Sequence, residues 1–147
     1  MIYFWLKLFH IVATSIWFGV NLMQTGDIRR VLNLGKPHTD ILPERINKIH
    51  RVSVVSGFLT IASGFAMIFF VGGFANVRAG IHAGLGLTLL LYAVEYFAVM
   101  TAWKKLQSAL SAGNLDASRA AAKRYSMGIG IGHMLRTMIF VLMVVQF

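Results

Sequence analysis

Four apolar stretches, at roughly 3–24, 50–71, 79–101 and 126–146, dominate this 147-residue chain. Each comes close to the ~20 residues that an α-helix needs to cross the hydrocarbon core of a bilayer. Backbone in hydrocarbon finds no water, so its N–H and C=O groups must pair within the segment, and a helix does this. The chain is 57% hydrophobic and 13% charged, with mean hydropathy +0.69. A soluble domain of this length has too little interior for that much apolar surface. The expectation is an all-α integral membrane protein, one domain over residues 1–147, folded up-down-up-down into a four-helix bundle by its short connections.

The connections carry their own signals. Gly72-Gly73-Phe74-Ala75-Asn76-Val77-Arg78 is short and glycine-containing, which forces the second and third spans antiparallel. The second span reads as the tail of a longer helix, because Pro43 suits a first helical position and Glu44 complements the positive helix start. Gly113-Asn114 breaks the alanine-rich linker from Lys104 to Tyr125, and Asp116 is placed to cap a helix running into the fourth span. The opening residues lack a charged leader and a small-x-small cleavage site, so they read as a retained first helix.

The net charge of +9 is unevenly placed. Arg29, Arg30, Lys36, Arg45, Lys48 and Arg51 lie between spans 1 and 2, and Lys104, Lys105, Arg119, Lys123 and Arg124 between spans 3 and 4. Eleven of the 14 basic residues therefore share one side, against Arg78 in the opposite loop. Cations retained on the cytoplasmic side set membrane orientation, so both basic loops are expected inside a bacterial inner membrane and both termini outside. No nucleic-acid motif accompanies the charge. The absence of cysteine excludes disulfides, iron–sulfur ligation and thiolate chemistry.

Each span also carries one histidine: His10, His50, His82 and His133; the fifth, His38, is in a polar loop. An ionisable ring in hydrocarbon is costly and normally faces the bundle interior, where it marks a site. His10, Thr14, Trp17, Asn21 and Gln24 recur at steps of four and three on one face of span 1. His50, Ser53, Gly57, Thr60, Gly64 and Met67 do the same on span 2, with small groups that let a backbone or a flat ligand approach. On span 3, His82 shares a face with Leu85, Leu89, Tyr92 and Tyr96. On span 4, Gly128, Gly130 and Gly132 precede His133, with Arg136 and Thr137 one turn on. Ordinary helix packing accounts for the glycines and serines alone, but packing does not require imidazoles.

Rise per residue converts position to depth. His10 falls roughly 10 Å and His82 about 5 Å from the outer face, with His50 at the cytoplasmic border and His133 roughly 10 Å inside it. An outer layer of His10 with His82 and an inner layer of His133 with His50 would suit one or two b-type haems, held by imidazoles across a flat ring. Arg136, a cation at costly depth, is expected to meet a haem propionate or Glu95. Copper is the alternative cofactor, since histidine and methionine both suit it. Met23, Met67, Met100, Met134, Met138 and Met143 nevertheless form no Met-x-x-Met array.

The run Leu8-Phe9-His10-Ile11-Val12-Ala13-Thr14-Ser15-Ile16-Trp17-Phe18-Gly19 resembles the first helix of the CopD/HemJ-type membrane proteins. His50-Arg51-Val52-Ser53 with Gly57 and Gly64 is similar to their second helix, and Ile81-His82-Ala83-Gly84 to the start of their third. The likeness covers most of the chain in layout and short motifs in sequence. It implies a small helical bundle with b-type haem, as in HemJ-like protoporphyrinogen oxidases, or copper handling, as in CopD-like members. HemJ-like proteins carry a lysine two residues after the third-helix histidine, where this chain has Gly84. His133 makes the chain look more like b561-type four-helix cytochromes. The resemblance implies haem held by His10 and His82, and no particular substrate.

The function expected is thus haem-b-dependent electron transfer or oxidoreduction in the bilayer, with a quinone or a redox partner protein exchanging electrons. Copper transport or delivery and protoporphyrinogen oxidation are the alternatives. A homo-oligomer or a place in a larger complex is compatible with the same residues. No Ser-His-acid set is present, and the glycines before His133 lie in an apolar helix rather than a phosphate-binding loop.

Overall fold

The computed structural model describes residues 1–22 and 24–144. Helix α1 (Ile2–Gly19) gives way to a turn, followed by α2 (Gln24–Leu34). A 3₁₀ turn (His38–Ile41) leads into α3 (Leu42–Phe70), with Pro43 in its first turn as the sequence predicts. After a second 3₁₀ turn (Phe74–Asn76), α4 (Ala79–Ala93) passes through a π turn (Val94–Val99) into α5 (Met100–Ser111), and α6 (Leu115–Val144) completes the fold. Among the described residues there is no strand. Four helical stretches, Ile2–Leu34, His38–Phe70, Ala79–Ser111 and Leu115–Val144, are long and apolar enough to cross a membrane. This four-helix architecture is consistent with an integral membrane protein. Large apolar side chains face outward along them, among them Phe58, Phe69, Leu89 and Phe97, a pattern suited to lipid and adverse in water.

Packing divides the bundle into two halves. α1 lies along α3, and α6 lies along α4 and α5, with α2 folded onto α6. Small residues bring α4 and α6 close: a Cβ on Gly80 would stand 2.5 Å from the Leu142 carbonyl oxygen, and one on Gly84 3.1 Å from Met143. At the end carrying the two basic loops, an apolar cluster that includes Ile28, Leu32, Leu42, Ile46, Trp103, Leu106 and Tyr125 joins the halves. Nearer the middle, Trp17 of α1 packs with Leu91, Leu135 and Ile139.

At their basic ends α3 and α6 are the longer helices that the sequence predicts, and α5 extends the third span. α3, α5 and α6 each continue beyond the apolar stretch as an amphipathic extension. In α6, Ala121 and Ala122 are buried whereas Lys123 and Arg124 are exposed. The first span ends earlier, at Gly19, although Asn21 and Gln24 remain buried beyond the break. The predicted break at Gly113 is present, with φ of 67° at that glycine. The cap is Asn114 and not Asp116: its Oδ1 accepts the Ala117 backbone N–H at 3.0 Å. The expected inner face of span 3 is also corrected. Leu89 and Tyr96 are exposed, while Gly84, Thr88 and Leu91 are buried, because the small residues let α6 approach on that side.

Candidate functional site: polar side chains between the helices

The small polar residues of α3 build the first part of the site. Ser56, Thr60 and Ser63 each return their hydroxyl hydrogen to a carbonyl of the preceding turn, which satisfies them in an apolar setting. Ser63 has only one hydrogen and donates it to the Leu59 carbonyl at 2.6 Å. Its oxygen lies 2.9 Å from His10 Nδ1 and is free to accept from it while the hydroxyl hydrogen stays on the Leu59 carbonyl. In that arrangement a neutral His10 carries its hydrogen on Nδ1, the nitrogen facing Ser63, and Nε2 has no hydrogen bond that meets distance and angle criteria among the described residues. Gly64 makes room for this ring, since a Cβ there would lie 3.3 Å from His10 Cε1.

His50 is held differently. Tyr125 donates its hydroxyl hydrogen to Gln24 Oε1, so His50 Nε2, 2.9 Å from that hydroxyl, is the donor to it. The chain continues from Gln24 Nε2 to Asn21 Oδ1 at 2.7 Å and from Asn21 Nδ2 to Ser53 Oγ at 3.0 Å. Trp103 flanks His50 edge-on and donates its indole N–H to Asn47 Oδ1 at 3.0 Å. This network crosses from α3 through α2 to α6 at the basic end.

His82 sits at the opposite end, exposed, with Nε2 donating to the Phe74 carbonyl at 3.1 Å. His133 is half-buried beside Phe18, and neither ring nitrogen has a partner among the described residues. Arg136, one turn further along α6, is 4% exposed and pairs with Glu95 on the π turn. Its guanidinium also lies 5.1 Å from the Trp17 ring centroid, and Trp17 stacks on Tyr92 at 5.8 Å. Of the two expected partners for Arg136, the carboxylate is the one in contact.

Contacts between helices also set the rings' levels. With Trp17 stacked on Tyr92, His82 falls about three residues, ~5 Å, further from the basic end than His10. The expected outer pair is thus within one helical turn. The expected inner pair is not level, because His133 lies beside Phe18 whereas His50 bonds Tyr125, about 12 Å away along α6. Among the described residues no hydrogen bond or ring contact joins any two of the four histidines. Among the described residues no group of three or more His, Cys, Asp or Glu forms a metal-binding set.

Two residues of the site escape sequence reading. Ser63 lies beside the stripe through Thr60 and Gly64 rather than on it, and its depth relative to His10 was the available signal. Tyr125 reads as the end of a polar linker, and only the buried extension of α6 brings it to His50. No protein-family model, curated protein or solved structure matches this chain.

Proposed function

We propose that the chain is a haem-b-binding electron-transfer protein of the membrane, exchanging electrons with a quinone and oriented with both basic loops in the cytoplasm. The observation carrying this reading is His10. Its Nδ1 lies 2.9 Å from Ser63 Oγ, a hydroxyl that itself donates to the Leu59 carbonyl. Metal-ligating histidines normally donate their other ring N–H to an outer partner that fixes tautomer and orientation. His50 Nε2 is engaged by Tyr125 and His82 Nε2 by the Phe74 carbonyl, whereas His10 Nε2 makes no hydrogen bond among the described residues.

The residues fit the group in these respects. His10 would hold the group, with Gly64 giving its imidazole clearance. His82, nearest to it in level and exposed, would be the second residue to hold it. Haem iron bound there would supply one-electron chemistry. The apolar side chains around the ring would exclude water. Arg136 is neutralised by Glu95 and so does not burden the site with a free cation.

An optical spectrum of the detergent-purified full chain, oxidised and then reduced, tests the reading. A Soret band with reducible b-type visible bands, lost in His10→Ala and His82→Ala while the folded protein is retained, is expected. A colourless protein from haem-replete cells, or one that carries copper and no iron, overturns it.

A further inference from the structure

On the outward side of the α5–α6 pair, a trough of about 240 Å³ runs from the apolar belt to the basic end. The small residues Ala98, Ala102 and Gly128 line it, and α6 is drawn against Val99 there, where a Cβ on Gly128 would come within 2.9 Å. Phe97, Met127 and Ile131 also line it and are exposed. Its basic end carries Lys105 and Arg124, both exposed. Neither forms an ion pair among the described residues, whereas Arg45 pairs with Asp27, Arg119 with Asp116 and Arg136 with Glu95. No acidic residue lines the trough.

We propose that this trough binds one anionic phospholipid, with an acyl chain along Ala98, Ala102 and Gly128 and the phosphodiester between Lys105 and Arg124. The occupant must be apolar over most of its length and negatively charged at one end, which is the charge and polarity sequence of the cavity. Basic side chains from neighbouring membrane helices at the headgroup level recognise such lipids by this combination. A free anion would use the cations and leave the apolar length unused. A zwitterionic lipid would bring its own cation into the Lys105–Arg124 notch.

Native mass spectrometry of the full-length protein with phosphatidylglycerol or phosphatidylcholine tests the assignment. The wild type should retain one phosphatidylglycerol in preference to phosphatidylcholine. Lys105→Gln/Arg124→Gln should lose that preference by about tenfold or more. Arg29→Gln/Lys123→Gln removes the same charge from another part of the basic end and should keep the preference. Ala98→Trp, which fills the trough, should weaken both lipids. Equal loss in the two double variants, equal retention of both lipids by the wild type, or full displacement by glycerol 3-phosphate overturns the proposal.

Discussion

Arg136 and Glu95 form an ion pair between α6 and the π turn, with the arginine side chain 3% exposed and the carboxylate 24%. Removing one partner strands a charge in a region that cannot solvate it. Glu95→Leu should therefore cost about 3–5 kcal/mol, whereas Glu95→Leu/Arg136→Met should recover most of the loss. Thermal unfolding in a fixed detergent measures both. A double variant as unstable as the single would show that Arg136 is needed chiefly for its packing on Trp17.

Gly57 is where α3 admits the aromatic layer. A Cβ there would stand 2.5 Å from the Tyr92 hydroxyl and 3.0 Å from Trp17 Nε1. Gly57→Val should destabilise by about 1–3 kcal/mol through overpacking. Gly86 has nothing within 4 Å of the same position, so Gly86→Ala should be neutral or stabilise by up to about 1 kcal/mol. Unfolding midpoints of the two variants, measured side by side, check the contrast.

Ser63→Ala leaves His10 in place and removes the hydroxyl that its Nδ1 meets at 2.9 Å. On the haem reading, the variant should fold and hold haem 10–100-fold more weakly, as other losses of outer-shell partners do. Haem titration of the apoprotein reads the affinity. Unchanged affinity would mean that Ser63 does not orient the ligand.

Native cysteines are absent, so single-cysteine variants report topology directly. With the proposed orientation, Lys36→Cys should label with an impermeant maleimide only after cells are opened, and Arg78→Cys should label in intact cells. The reverse pattern would invert the bundle.

Much of the fold is legible in the sequence, because hydrocarbon imposes one requirement on every backbone group and apolar length answers it. The four crossings, the Gly113 break and the start of α3 near Pro43 follow from that and from local turn chemistry. The inward face of the third crossing does not. Leu89 and Tyr96 read as core by size, but lipid takes the large apolar residues while Gly84 and Thr88 take the helix contact. The site is legible in part for a related reason. Residue type marks His10, His50, His82 and His133, but which ring nitrogen is free depends on Ser63, Tyr125 and the Phe74 carbonyl. Those partners lie far away in sequence or in the main chain, and spacing carries no record of them.

The wide turn at Val94–Val99 holds one residue more than a regular coil of the same height. Everything downstream on that rod is therefore swung by about 100° relative to what precedes it. Deleting a single amino acid there would let the coil close uniformly and rotate Trp103 and Leu106 off the interior, leaving Leu91 where it is. One codon thus sets the angular phase between the two ends of the third crossing, and that phase decides which side chains the basic end buries.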